Sequence, residues 1–173
     1  MAGQQFNDFS ASGNQAVDPD VYEIENTALD REGHVLVTMR SLAPWRNRTL
    51  VDLGCGRGFW LPQYAGEAAT VIGIEPDPGL LDQARGRDSR VQVRHGSAEH
   101  IPLPDASVDV VHARFAYFFG PGADAGRTEV RRVLATGGRR GGIDNDQDRG
   151  DRGELRAEAH PDRDADPGWG AGG

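Results

Sequence analysis

Apolar positions recur along this chain first at helical and then at strand spacing. Asp18-Pro19 opens the pattern, with Asp suited to an N-cap and Pro to the first helical position. Val21, Ile24, Ala28 and Leu29 follow at helical intervals. Asp30 then offers a second cap, after which Val35, Met39 and Leu42 recur at i, i+4 and i+7 until Ala43-Pro44 ends the run. Four short β-branched or apolar segments come next, at Thr49 to Leu53, Thr70 to Glu75, Arg90 to His95 and Val108 to Ala113. Helical stretches separate some of them: one begins near Gly58, and a second follows Asp77-Pro78 with Leu80, Leu81 and Ala84 on its face and Gly86 at its end. Val130, Val133 and Leu134 form another short amphipathic face. Strands alternating with helices predict an α/β domain with a mainly parallel sheet.

The most informative junction is Thr49-Leu50-Val51-Asp52-Leu53-Gly54-Cys55-Gly56-Arg57-Gly58. A buried strand ends in an acid, and three glycines follow at alternate positions. Glycine tolerates positive φ and lets backbone approach a ligand closely. A following helix start adds free N–H groups, so the junction predicts a cradle for the polar end of a nucleotide-like molecule. Glu75, 21 residues beyond Gly54, ends the second strand, where doubly wound folds grip a ribose diol. A solvated or helix-capping acid is the plainer reading of Glu75.

Composition sets further bounds. The 173 residues suffice for one domain with a core, and the net charge is −8. All 19 basic residues are arginine. The acidic balance argues against nonspecific binding to nucleic acid or an anionic membrane. The single cysteine, Cys55, excludes an internal disulfide and a Cys-rich metal site, and no metal is expected. No stretch reads as a signal peptide or membrane helix, so a cytoplasmic location is expected.

Taken together, the motifs resemble the class I S-adenosylmethionine-dependent methyltransferases. The D-x-G-x-G-x-G run from Asp52 to Gly58 is similar to that family's first motif, whereas nicotinamide dehydrogenases place the third glycine one residue later. The stretch Gly96-Ser97-Ala98-Glu99-His100-Ile101-Pro102-Leu103-Pro104-Asp105-Ala106-Ser107-Val108-Asp109 resembles the family's Ala-Glu, Pro-x-Pro and strand-entry signature. Ser97 stands where an aspartate is usual. Glu129 to Gly138 resembles the family's E-x-x-R-V-L-x-P-G-G turn, with Thr136 in place of proline.

The resemblance implies a doubly wound Rossmann-like sheet and S-adenosylmethionine as cofactor. It implies cofactor contacts from Asp52, Gly54, Cys55, Gly56, Gly58, Glu75, Pro76, Ser97, Ala98 and Ala113. Asp52 would orient the methionine ammonium, Glu75 the ribose, and Ser97 with the Ala98 backbone the adenine edge. Arg57 is a candidate for the methionine carboxylate. A methyl group would pass to an unidentified small-molecule acceptor, with no catalytic residue assigned; His95, His100 and His112 read as structural or solvated. The aromatic cluster Phe115, Tyr117, Phe118 and Phe119 could wall an acceptor pocket or belong to the core.

Three segments are expected: a flexible 1–17 carrying Phe6 and Phe9, a cofactor-binding domain over 18–138, and a polar tail over 139–173. Phe6 and Phe9 belong either to a frayed terminus or to a lid. The tail holds nine acids and six arginines, with Ile143, Leu155 and Trp169 as its large apolar residues. This composition predicts disorder, a sheet incomplete after strand 4 or 5, and an exposed edge near strand 4. A non-catalytic remnant or an inactive truncated enzyme is therefore the alternative to an active methyltransferase.

Overall fold

The computed structural model describes residues 18–116, 123–144 and 154–159. In chain order the elements are α1 (Pro19–Leu29), α2 (His34–Leu42), β1 (Thr49–Leu53), α3 (Leu61–Ala65), β2 (Thr70–Glu75), α4 (Pro78–Arg85), β3 (Gln92–His95), β4 (Val108–Arg114), α5 (Asp124–Val133), β5 (Leu134–Asp144) and β6 (Glu154–Ala159). Phe6, Phe9, Tyr117, Phe118 and Phe119 lie outside the described residues, as do the readings attached to them.

The strands form one sheet in the order β3-β2-β1-β4-β5-β6. β1 to β5 run parallel, and β6 pairs antiparallel with β5. The strand order reverses beside β1, so β1 and β4 are neighbours whose connections leave in opposite directions. That is the crevice in which open α/β sheets bind ligands.

Alternating residues of the central strands feed two cores. Val51, Leu53, Ile72, Ile74, Val111 and Ala113 pack with Val130 and Val133 of α5 on one face. Leu50, Val71 and Val110 pack with Met39, Trp45, Leu61, Tyr64 and Ala84 on the other. Burial on both faces is why these strands read as continuous apolar runs.

Local capping follows the sequence closely. Asp18 accepts from Asp20 N at 2.9 Å, and Asp77 accepts from Gly79 N and Leu80 N at 2.7 and 3.2 Å. Asp30 also caps, although α2 starts four residues later at His34. Its two carboxylate oxygens accept from Val35 N and Leu36 N, each at 2.9 Å, while Gly33 turns the chain at φ 74°. Gly86 ends α4 in ordinary right-handed conformation, so its role there does not depend on positive φ.

The largest departure from expectation is the fifth strand. The polar run assigned to a tail from Arg139 continues β5 to Asp144, and residues 154–159 add β6. β4 is thus an interior strand flanked by β1 and β5, not an exposed edge. The sheet ladder uses backbone groups, which glycine and arginine carry like any residue. Gly141 also answers a steric demand, because a Cβ there would lie 3.1 Å from Ala43 Cβ and 3.3 Å from His112 Cδ2. Gly141 fits where helix α2 ends, and the glycines and arginines around it leave the strand a weak hydropathy signal.

The loop before β4 is fastened by α5. Arg132 donates to Ile101 O, Leu103 O and an Asp105 oxygen, each at 2.8 Å, and to both Glu129 oxygens. Glu129 in turn accepts from Ile101 N at 2.8 Å. The Glu129-x-x-Arg132 spacing places both groups on one helical face, toward the Pro102-x-Pro104 loop. Among the described residues, no helix is long and apolar enough to cross a membrane.

Candidate functional site

The carboxyl ends of β1 to β4 share one edge of the sheet, and polar side chains cluster there. At the end of β1 the chain turns back at once: Gly54 N and Cys55 N both donate to Ile74 O, at 2.8 and 3.0 Å. Gly54, Gly56 and Gly58 have φ of 71°, 55° and 78°. A Cβ at Gly58 would lie 3.0 Å from Ala84 Cα, and one at Gly54 would run into Ala116. The loop therefore needs glycine for conformation and for space. The helix that follows, α3, has only five residues, and the N–H groups of Gly54, Cys55, Gly56 and Gly58 are taken by Ile74 O, Glu75 and Cys55 O, so the loop offers closely approachable backbone rather than free donors or a helix dipole.

Glu75 organises this loop. Its Oε2 accepts from Gly56 N at 2.9 Å and its Oε1 from Asp77 N at 3.0 Å. Burial pushes its carboxyl up, against the pull of the Asp77 and Gly56 N–H groups. Each carboxylate oxygen can accept more than one hydrogen bond. Pro76 continues from Glu75, and its carbonyl contacts His95 Nε2 at 2.9 Å.

Asp52 sits on β1 between Gly73 and His112 in register. It is buried, and burial raises its carboxyl above the usual range while Arg114 opposes the rise. Ala113 lies beside Leu53 one step further along. Beyond β3, Ser97 and Ala98 are both buried, and Ser97 N donates to His100 O at 3.1 Å. Cys55 packs against Gly73, and burial together with the Asp52 and Glu75 charges pushes its thiol up, so it is a space-filling residue.

Arg57 is buried rather than solvated. It donates to Gln83 Oε1, and its guanidinium lies 5.7 Å from the Tyr22 ring centroid. Tyr22 reaches over the glycine loop from α1: a Cβ on Gly56 would be 3.1 Å from its hydroxyl oxygen. The Arg87–Glu23 ion pair ties the same helix to the body.

His112 is not a candidate base. It is fully buried, with Nδ1 3.2 Å from Tyr64 Oη and Nε2 3.3 Å from Ala43 O. Burial, with the nearby Arg114 charge, pushes its pKa down to about 3. Trp45, Tyr64 and His112 meet edge to face, with centroids 5.2 to 5.3 Å apart.

Among the described residues, buried polar atoms along this edge that lack a hydrogen-bond partner include Asp52 Oδ2, Ser97 Oγ, and Arg114 Nε and Nη1. From β3 to β4 the row spans three strand spacings, about 14 Å. Unsatisfied buried polar atoms are costly, and they fit a long polar ligand that would complete them. Arg114 gave no sequence signal. Only its stacking and orphaned donors in three dimensions distinguish it from other arginines.

A glycine cradle, acidic strand ends and a switch-point crevice define a nucleoside-cofactor domain. Residues 51–140 match the family model described as methyltransferase domain. The chain belongs to this family, the class I S-adenosylmethionine-dependent methyltransferases. It is 40% identical over 78 residues to a "Probable S-adenosylmethionine-dependent methyltransferase" of Mycolicibacterium smegmatis, covering 45% of this chain and 30% of that protein. It is 32% identical over 112 residues to a malonyl-[acyl-carrier protein] O-methyltransferase of Serratia marcescens, covering 64% and 43%. The solved YcgJ protein of Bacillus subtilis matches with a TM-score of 0.58 at 27% identity, over 65% of this chain and 51% of that one. The chain thus spans less than half the length of these two curated relatives.

Proposed function

We propose that this chain binds S-adenosylmethionine along the carboxyl edge of β1 to β4 and supports methyl transfer to a small-molecule acceptor. The observation carrying this reading is the row of orphaned buried polar atoms in line with Glu75 and the glycine loop. The cofactor supplies a methyl group already activated on a sulfonium, so the protein's part is positioning and exclusion of water.

Under this reading, Asp52 orients the methionine ammonium through its open Oδ2. Glu75 uses its remaining acceptor capacity for the ribose hydroxyls, with Pro76 shaping the turn beside it. Ser97 Oγ and the Ala98 backbone meet the adenine edge. Gly54, Cys55, Gly56 and Gly58 supply close backbone, and Ala113 floors the crevice. The acceptor lies beyond β4, and the chain works without nucleic acid or membrane, in the cytoplasm.

Isothermal titration with S-adenosylhomocysteine tests the assignment. Saturable micromolar binding that is lost in Glu75→Ala and Gly56→Val is the expected result. Absence of binding by a chain that is folded by circular dichroism overturns it.

A further inference from the structure

Arg114 ends β4 on the sheet face that carries Trp60 and Tyr64, and its environment is unusual for a guanidinium. Its side chain is only 7% exposed. Its Cζ lies 4.2 Å from the Trp60 ring centroid and 5.4 Å from that of Tyr64. Among the described residues its charged partner is Asp52, with Nη2 3.5 Å from Oδ2, a long ion pair. Nε and Nη1 are buried and make no hydrogen bond among the described residues, leaving one unmade donor on each edge of the planar fork.

A guanidinium held this way is costly unless something completes it. Leaving a buried donor unmade costs about 1–3 kcal/mol, and more when the group is charged. Arg132 avoids that state by spreading its donors over two backbone carbonyls and two carboxylates, whereas Arg114 leaves two of its three nitrogens unmade. The Trp60 ring lies against the guanidinium at cation–π distance and shields that side of it. Nε and Nη1 each share an edge of the fork with Nη2, and such an edge suits a carboxylate, which accepts two parallel bonds.

We propose that Arg114 is a carboxylate-binding residue, and that the crevice between β1 and β4 takes a ligand carrying a carboxylate at the Trp60 face. The proposal rests on the functional reading above for the location of the crevice. The carboxylate comes either from the amino-acid end of the cofactor or from the acceptor. In the first case Asp52 and Arg114 act as a clamp for a zwitterion, with ammonium on one and carboxylate on the other. In the second, Arg114 selects an acidic acceptor.

The test titrates the full chain with three probes: S-adenosylhomocysteine, 5′-methylthioadenosine, which lacks the amino-acid end, and sodium benzoate added to the chain saturated with S-adenosylhomocysteine. Wild type, Arg114→Gln and Arg114→Lys are compared. A loss of at least tenfold for S-adenosylhomocysteine in Arg114→Gln, with 5′-methylthioadenosine unchanged, assigns the carboxylate to the cofactor. Unchanged S-adenosylhomocysteine affinity with loss of benzoate binding assigns it to the acceptor.

Arg114→Lys keeps the charge without the planar fork, and the expected result is a smaller, three- to tenfold loss for the same probe. It carries the test if Arg114→Gln does not fold. Equal weakening of S-adenosylhomocysteine and 5′-methylthioadenosine, or no change in any probe, overturns the proposal. If folded wild type binds neither nucleoside but binds benzoate through Arg114, the cofactor reading falls and the carboxylate site stands. If it binds none of the three, both fall.

Discussion

Glu75 Oε2 accepts a hydrogen bond from Gly56 N at 2.9 Å, so the acid ending β2 holds the loop that follows β1. The same side chain takes Asp77 N on its other oxygen. One carboxylate thereby fixes both the glycine loop and the start of α4.

Glu75→Gln puts an amide NH2 against one of those two N–H donors. The expected cost is about 1–3 kcal/mol of stability, because a buried donor is left facing a donor. Urea unfolding of the variant measures it, and a change below about 0.5 kcal/mol contradicts the tie. Binding of S-adenosylhomocysteine should weaken in parallel.

His112 makes stability depend on acid. Its folded pKa is about 3 against an ordinary 6.5. The unfolded chain therefore takes up a proton at pH values where the folded chain does not. The stabilising contribution is complete above pH 6.5 and is lost as pH falls toward 3, by up to about 1.4 kcal/mol per pH unit. Asp52 and Glu75, both raised by burial, act in the opposite sense: their contributions decline as pH rises from the ordinary carboxylate range. Comparing wild type with His112→Gln isolates the histidine. Between pH 6.5 and pH 4 the wild type should lose stability more steeply, and equal slopes by urea unfolding would remove His112 from this account.

Gly58→Ala tests the loop's steric demand. The substitution adds a Cβ at φ 78° and 3.0 Å from Ala84 Cα in α4. Left-handed backbone costs an L-residue about 1–2 kcal/mol before any clash. A loss of about 2 kcal/mol or more is expected from the thermal midpoint and urea curves together.

Arg132→Ala removes the fastening of the Ile101 to Asp105 loop. Glu129, whose carboxyl Arg132 holds below its ordinary range, then loses its main partner. Removing several charge-assisted bonds should cost about 2–4 kcal/mol and speed hydrogen exchange at Ile101 N and Ser107 N. Unchanged exchange there would show that the loop is held without Arg132, by the Ala106 N, Ser107 N and Ile101 N bonds to α5.

Local features of this fold were readable because their residues lie close in sequence. Asp18, Asp30 and Asp77 announce helix starts, and the three alternate glycines announce a loop of positive φ. Glu129 and Arg132 share a helical face by spacing alone. The run of β5 past Arg139 was not legible because its glycines and arginines carry no strand-like hydropathy signal, and at Gly141 the position beside Ala43 and His112 demands a small residue. Arg114 was missed for a different reason. Its chemistry arises from Trp60, Tyr64 and Asp52, which arrive from three other parts of the chain.

The strand order carries a consequence for how the chain folds. β1 and β4 are neighbours at the centre of the sheet, and Thr49 N donates to Asp109 Oδ2 across 60 residues of sequence. The pairing that creates the crevice therefore closes a long loop, an entropic charge met before its contacts form. Such non-local pairing slows folding relative to helical bundles of similar length. On the ribosome, β1, α3 and β2 emerge well before their central partner, and they must wait with one edge of β1 unpaired until β4 arrives.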